Sequence, residues 1–141
     1  MMAVDILAVN DRVGLAEAIA GKSDEEINRS LTGRSATVVT RVAERMKLYF
    51  QPQKAPRKRV VIQYEVKSPD GVLPFQVTLD EGRCDVHEGT GEPPTMTLNM
   101  SLPNFLRLAS GKLGGLTAMM TGRLDVSGDI LLARKVQSWF Q

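Results

Sequence analysis

The chain has 141 residues, 43% of them hydrophobic and 24% charged, a composition typical of one folded globular domain with its own core. The formal net charge is only +2 and aromatic residues make up 5%, so the chain lacks the basic, aromatic-rich surface that nucleic-acid binding requires. The single cysteine excludes an internal disulfide, and the first residues lack the basic segment and the unbroken apolar run of a signal peptide. We therefore expect a cytoplasmic protein that binds no nucleic acid.

The first third of the chain is predicted to be helical. Residues 1–21 carry a weak helical pattern and are interpreted as an N-terminal extension to a domain that spans residues 22–141. Within this domain, Ser23 is placed to cap a short helix. A longer helix is predicted from Ser35 to the residues before Pro52. Its apolar face is predicted to consist of Val39, Val42, Met46, Tyr49 and Phe50.

Four strands are predicted between residues 60 and 100, because apolar and polar side chains alternate there and turn residues separate the runs. This alternation gives a sheet with one apolar face and one polar face. The chain then returns to a helical pattern, so we expect helices to cover the apolar face. The apolar face is expected to carry Ile62, Tyr64, Val77, Leu98 and Met100, and the polar face Gln63, Glu65, Thr78, Thr97 and Asn99.

The last third of the chain contains helices on both sides of a fifth strand. Ser101 is placed to cap a helix, a short apolar helix follows at residues 116–120, and Asp129 is placed to cap the last helix. The two helices before the fifth strand form a crossover, which predicts that the fourth and fifth strands are parallel. The fold class is therefore α+β, with a five-stranded, largely antiparallel sheet. The last helix is predicted to place Leu132, Val136, Trp139 and Phe140 on one face.

The reactive side chains of the sequence do not form a catalytic arrangement. Cys84 and His87 are three residues apart on a predicted strand, so they point to opposite faces and cannot form a dyad. The carboxylates lie in turns and helix caps, and no spacing fits a metal site. The stretch GTGEPP lacks the following helix that a phosphate-binding loop requires. The sequence thus predicts a protein that is not an enzyme and needs neither metal nor cofactor.

Two stretches of the C-terminal half carry a family pattern. Residues 94–113, PTMTLNMSLPNFLRLASGKL, combine a proline-led strand with a helix that ends in SGK. Residues 118–136, AMMTGRLDVSGDILLARKV, combine a short apolar helix, a Gly-Arg-Leu strand and a Gly-Asp helix start. Together with the hairpin DGVLPFQVTLDEGRCDVHEG, they resemble the sterol carrier protein two (SCP2) lipid-transfer family, over roughly residues 24–141. The segment KLGGLTAMM departs from the family, which often has a proline and an aromatic residue there.

The resemblance implies helices that enclose an apolar cavity or tunnel against the sheet. It also implies non-enzymatic binding of an apolar lipid, and fatty acids, acyl-CoA, phospholipids, sterols and isoprenoids all remain candidates. Whether the protein also transfers this lipid, and whether it touches membrane surfaces transiently, stays open. The candidate ligand-binding residues are apolar side chains of the helices and the sheet: Met46, Val77, Met100, Phe105, Leu106, Leu116, Met119, Met120, Leu132, Val136, Trp139 and Phe140.

Several segments keep two interpretations. The Met-rich segment at residues 116–120 either fills the core or forms a movable cavity wall, because methionine repacks easily and glycines flank it. Trp139 and Phe140 either anchor their helix in the core or close the tunnel mouth and touch a membrane. The basic residues between positions 54 and 59 form either a solvated connector or a contact for anionic head groups. The rival function is an interaction module whose apolar face meets a partner protein or a second copy in a homodimer.

Overall fold

The computed structural model describes residues 12–140, which form helices, a five-stranded sheet and a short 3-10 helix. The elements are α1 (Arg12–Ile19), α2 (Asp24–Leu31), α3 (Ser35–Tyr49), β1 (Val60–Ser68), β2 (Gly71–Asp80), β3 (Arg83–Glu88), β4 (Met96–Ser101), α4 (Leu102–Ala109), α5 (Gly115–Met120), β5 (Leu124–Gly128), α6 (Ile130–Ala133) and the 3-10 helix Val136–Phe140. Each helix in this range is too short or too polar to span a bilayer.

The sheet is mixed and has the strand order β3-β2-β1-β4-β5. β1 pairs antiparallel with β2 and parallel with β4, and β5 pairs antiparallel with β4. The predicted parallel pairing of the fourth and fifth strands is therefore wrong. The two strands are antiparallel because Leu124, the first residue of β5, pairs with Met100 near the end of β4. The two helices thus return the chain to the end of β4 from which they left it, and β5 must run the other way.

The apolar face of the sheet is confirmed. Ile62, Tyr64, Val77, Leu98 and Met100 are each at most 6% exposed. α3 packs against β3, α4 against β1 and β4, and both α5 and α6 against β5. The helices share one continuous core with these strands, so the predicted α+β architecture with a helical layer on the sheet is present.

The opposite face is polar as predicted, but a loop buries part of it. Gln63 is 5% exposed and Gln76 is fully buried. The loop between β3 and β4 lies over them: Gln76 Nε2 donates to the Glu92 carbonyl (2.8 Å), and Gln63 Nε2 donates to the Gly89 carbonyl (3.3 Å). The strand pairing places Gln63 beside Gln76 and Thr97 on this face, and its cover is a loop rather than a helix, so the predicted assignment of the two faces is confirmed.

The beginning of the described chain belongs to the same core. Leu15, Ala18 and Ile19 of α1 are buried, and α1 packs against α4. The predicted N-terminal extension falls in part on residues 1–11, which lie outside the described residues. The boundary between the extension and the domain of residues 22–141 stays a prediction.

The final helix is divided into two short pieces, whereas the sequence predicts one. After Ala133 the backbone hydrogen bonds join residues three apart, from Lys135 N to Leu132 O (3.0 Å) and from Ser138 N to Lys135 O (3.1 Å). This tighter winding is that of a 3-10 helix. Trp139 and Phe140 are nevertheless buried, as the anchoring interpretation expects.

Asp70, in the turn between β1 and β2, caps the N-terminus of α3. Both of its carboxylate oxygens accept from Gly33 N at 2.9 Å, and Oδ2 also accepts from Ser35 N at 3.2 Å. A hydrogen bond with the Ser35 side chain, and then those from the backbone N–H groups of Gly33 and Ser35, lower the pKa of Asp70. The hairpin turn is thereby joined to a helix that lies distant in sequence.

We expect Asp70→Asn to remove a part of the stability that depends on pH. The folded-state pKa lies below the unfolded-state value of about 4, so the carboxylate's contribution is complete above that value and is lost as the pH falls through the folded-state pKa. Denaturant titrations measure this: the stability difference between wild type and Asp70→Asn should shrink below about pH 4. Asp125→Asn, at an exposed position of β5, is the control. A difference for Asp70→Asn that stays constant with pH would contradict the capping role.

Candidate functional site

An apolar pocket of about 280 Å³ lies between the helical layer and the apolar face of the sheet. Its sheet side consists of Tyr64 from β1, Leu98 and Met100 from β4, and Leu124 from β5. The other apolar side chains of its wall come from helices: Met46, Tyr49, Phe105, Leu108, Ala109, Met119, Ala133, Val136 and Phe140. Elements from both ends of the described chain therefore meet around one space.

Local sequence patterns explain why these walls are apolar. Leu98 and Met100 are two residues apart on β4, so they point to the same face of the sheet. Phe105, Leu108 and Ala109 stand at positions i, i+3 and i+4 of α4, so they share one side of that helix. The pocket forms where these two apolar surfaces face each other.

Three aromatic rings pack together at one side of the pocket. The rings of Tyr64 and Phe75 are stacked with their centroids 4.6 Å apart, and Phe105 meets both edge-on at 6.2 Å and 5.8 Å. Tyr64 and Phe105 line the pocket, whereas Phe75 contacts both rings from outside the wall. Burial raises the pKa of the Tyr64 hydroxyl, so this group stays neutral at physiological pH.

Polar groups are confined to a few positions of the wall, and Arg12 is one of them. Its guanidinium lies 4.3 Å from the centre of the Tyr49 ring, and its Nη2 donates to the Phe140 carbonyl. Within residues 12–140, the buried Nε–H of Arg12 has no hydrogen-bond acceptor. Arg134 is the second cation of the wall and is exposed. The pocket thus combines apolar walls with cationic donors.

Gln137 joins the segments that border the pocket. Its Oε1 accepts from Gly115 N at 2.7 Å, and its Nε2 donates to the carbonyls of Leu113 (2.9 Å) and Leu108 (3.3 Å). One side chain of the 3-10 helix therefore holds the beginning of α5 and the loop before it. The third hydrogen bond, to Leu108, joins the same side chain to α4.

The structure brings six of the twelve candidate residues into the pocket wall: Met46, Met100, Phe105, Met119, Val136 and Phe140. The other six lie outside this wall. Val77, Leu106 and Trp139 are buried in the core, Leu132 is half-buried, and Leu116 and Met120 are 48% and 78% exposed. The role of all twelve in ligand binding stays a prediction.

Sequence reasoning missed several wall residues. The sequence patterns place Tyr64 and Leu98 on the apolar face of the sheet and Tyr49 on the apolar face of α3, so they carry a signal for the wall. Arg12 and Gln137 had no such signal, because long polar side chains reach the pocket only through the tertiary arrangement.

The Met-rich segment divides between three environments. On α5, Ala118 is fully buried, Met119 is half-buried in the pocket wall, and Met120 is exposed to solvent. Gly114 and Gly115 also line the pocket, and Gly122 follows the helix with a φ of +75°. α5 therefore contributes one large side chain, that of Met119, to the wall, and glycines stand at both of its ends.

The reactive side chains stand apart, as the strand pattern predicts. Cys84 lies opposite Leu79 and His87 opposite Gln76, on different faces of the sheet. Burial raises the pKa of the Cys84 thiol to about 11, and His87 Nε2 lies 3.1 Å from Gln76 Oε1 in the buried polar network. Among residues 12–140, no group of three or more His, Cys, Asp or Glu side chains converges on a point where a metal could bind.

The fold is similar to that of solved sterol carrier proteins. Palmitated SCP2L2 from Aedes aegypti, solved by NMR in solution, is 25% identical, with a TM-score of 0.58 over 72% of this chain and 89% of that chain. The apo form of sterol carrier protein 2 from Yarrowia lipolytica is 20% identical, with a TM-score of 0.56 over 77% of this chain and 91% of that chain. The second likeness concerns the fold alone.

Similarity in sequence leads to the same group of proteins. Hydroxysteroid dehydrogenase-like protein 2 from Mus musculus is 29% identical over 79 residues, which are 56% of this chain but only 16% of that protein. The chain thus matches a small part of this longer relative. The model of the SCP-2 sterol transfer family matches residues 30–141, which include all five strands and most of the pocket wall. The chain belongs to the SCP-2 sterol transfer family.

Proposed function

We propose that this protein binds an apolar lipid in the pocket between the helices and the sheet, and that it does so without catalysis. The observation that carries this proposal is the wall itself, in which apolar side chains of α3, α4, α5 and β4 face one pocket. Burial of apolar ligand surface contributes roughly 25 cal/mol per Å², so a lipid chain gains affinity without many polar contacts. The membership in a lipid-transfer family supports this reading of the pocket.

The size of the pocket favours one slender chain as its occupant. Its volume of about 280 Å³ lies just below the range of about 300–1,000 Å³ that is usual for ligand sites. A larger ligand requires the wall to move. α5 is the segment best suited to move, because glycines stand at both of its ends and Met119 can repack.

The polar groups of the wall favour a lipid with an oxygen-bearing head group. The unpaired Nε–H of Arg12 and the guanidinium of Arg134 are both donors, and each is suited to a carboxylate, a phosphate or a hydroxyl. Fatty acids, acyl-CoA, phospholipids and sterols all satisfy this condition. The palmitated state of the Aedes aegypti protein supports an acyl chain among them.

The first test compares two neighbouring methionines. We expect Met119→Trp to lower the affinity for a fluorescent fatty acid by about tenfold or more, because the larger side chain fills the pocket. Met120→Trp is the control, since Met120 is 78% exposed and lies outside the wall. Equal affinities in the two variants would contradict binding in this pocket.

The second test identifies what the purified protein carries. Native mass spectrometry should show a protein with co-purified lipid, and Met119→Trp should carry less of it. A homodimer that carries no lipid, and that shows no affinity for the fluorescent fatty acid, would instead favour the interaction module.

A further inference from the structure

A second apolar pocket lies on the same side of the sheet, between α3 and the strands β2 and β3. Its volume is about 340 Å³. α3 contributes Ala36, Val39 and Ala43, which stand at positions i, i+3 and i+7 and therefore share one side of the helix. The sheet contributes Phe75 and Val86, which belong to the face that the helices cover. Two pockets thus lie between the helices and the sheet, and the candidate site described above is the first of them.

The helix α3 borders both pockets. Its N-terminal part lines the second pocket, whereas Met46 and Tyr49 near its end line the first. A helix rises about 1.5 Å per residue, so the step from Val39 to Met46 covers only about 10 Å along the axis. The two pockets are therefore neighbours beside one helix.

Three aromatic rings stand between the two pockets. Phe75 lines the second pocket, and Tyr64 and Phe105 line the first. The Phe75 ring is stacked on that of Tyr64 with the centroids 4.6 Å apart, and it meets that of Phe105 at 5.8 Å. We call these three rings the aromatic partition. Phe75 is the member that contacts both other rings and also borders the second pocket.

The charges of the walls indicate how a fatty acid is oriented. Arg12, a cation of the first pocket, lies beside Tyr49 at the end of α3 that is distant from the second pocket. The second pocket instead has the carboxylates of Glu44 and Glu88 in its wall, and Glu44 already forms an ion pair with Lys47. A carboxylate head group is therefore held better at Arg12 than in the second pocket. The methyl end of the chain then points towards the aromatic partition.

We propose that Phe75 sets the length of the lipid chain that this protein holds, because the chain stops at the aromatic partition and the second pocket is a closed-off extension of the same site. The proposal rests on the proposed function, since it requires a lipid chain in the first pocket. Replacement of Phe75 by a smaller residue leaves the two other rings space to turn aside and joins the pockets. Their volumes together lie well within the range of about 300–1,000 Å³ that is usual for ligand sites.

A series of fatty acids of increasing length tests this proposal. The affinity for saturated fatty acids of about 8 to about 20 carbons is measured by displacement of the fluorescent fatty acid. In wild type, the affinity should rise about fourfold with each added methylene until the chain reaches the aromatic partition, and then stay constant. In Phe75→Ala, the rise should continue for at least about two further methylenes. The longest chains should then bind about 16-fold more tightly than to wild type.

Three further variants separate the role of Phe75 from a general loosening of the core. Leu79→Ala removes a side chain that is equally buried on the same face of β2 but lines neither pocket, so the chain-length limit should stay as in wild type. Phe75→Ala/Ala43→Phe places a ring in the second pocket from the side of α3 and should shorten the limit again. Phe75→Leu removes less volume, so it keeps the test valid if Phe75→Ala does not fold, and it should extend the limit by about one methylene.

The possible outcomes distinguish this proposal from the proposed function. The same chain-length limit in wild type and in the natively packed Phe75 variants would overturn the role of Phe75 and leave lipid binding intact. An equal extension in Leu79→Ala, or an affinity that rises across the whole series in wild type, would also overturn it. A wild-type protein that binds none of the fatty acids would contradict the proposed function and this proposal with it. Near-ultraviolet circular dichroism establishes native packing in each variant.

Discussion

Gly128→Ala is expected to destabilise the protein by about 3 kcal/mol or more. Gly128 ends β5 with a φ of +90°, a conformation that costs any residue with a Cβ about 1–2 kcal/mol. In addition, a Cβ at this position would lie 2.6 Å from Thr95 O and 2.9 Å from Met96 Cα. Both of these are backbone atoms, so no rotation of a side chain can relieve the contact. Denaturant titration measures the loss of stability.

The neighbouring strands cannot easily withdraw from this contact. Thr95 O accepts from Asp129 N at 3.0 Å, and Thr95 N donates to Val61 O at 2.8 Å, so a shift of Thr95 would weaken the pairing of β4 on both sides. Gly122→Ala is the matched control. Its φ is +75°, but nothing lies within 4 Å of the added Cβ, so we expect a loss of about 1–2 kcal/mol. Equal losses of stability in the two variants would show that the close approach of the backbone atoms does not contribute to the effect of Gly128→Ala.

Phe105→Ala is expected to cost about 3–5 kcal/mol of stability. Phe105 is 2% exposed, and its ring lies edge-on to those of Tyr64 and Phe75. Truncation removes these contacts and joins the vacated space to the pocket, which the ring now borders. The free energy of unfolding from denaturant titration gives the magnitude, and the fluorescent fatty acid reports whether the enlarged pocket still binds.

Two further variants serve as comparisons for the stability of Phe105→Ala. Phe105→Leu keeps much of the buried volume and should lose clearly less stability than Phe105→Ala. Met119→Ala should lose less than about 2 kcal/mol, because Met119 is only half-buried at the pocket. It should instead change the affinity for the fatty acid. A loss of less than about 1 kcal/mol in Phe105→Ala would mean that the aromatic cluster does not support the core.

The sequence predicts the local parts of this fold well, because neighbouring residues determine them. Ser23 caps α2 as expected: its Oγ accepts from Glu26 N, and the Glu26 carboxylate accepts from Ser23 N, each at 3.1 Å. The alternation of apolar and polar side chains correctly divides the two faces of the sheet, since successive side chains of a strand must point to opposite sides. Ser101 likewise caps α4, where its side chain accepts from Asn104 N.

The non-local parts could not be obtained in this way. The direction of β5 depends on where α4 and α5 release the chain, and no residue of β5 itself encodes that end of β4. The same holds for the loop over the polar face. Gln63 and Gln76 look like ordinary exposed amides in sequence, and only the path of residues 89–92 turns them into buried, hydrogen-bonded groups.

In the candidate site, too, the local features are predictable from the sequence and the non-local ones are not. Periodicity identifies the side chains that face inward, and Met100, Phe105 and Val136 reach the pocket as that pattern predicts. Which inward side chains meet empty space, and which meet other side chains, depends on how the helices cross the sheet. Val77 and Leu106 therefore lie in filled core although their patterns are equally apolar.

The single tryptophan gives this protein a built-in optical probe. Trp139 is 2% exposed, and it stands in the same 3-10 helix as Val136 and Phe140, which line the pocket. Its indole is shielded from water in the folded chain and becomes hydrated on unfolding, so its emission maximum will move to longer wavelength. Because no other tryptophan contributes to the signal, a spectral change on addition of a non-fluorescent lipid will report on this one helix.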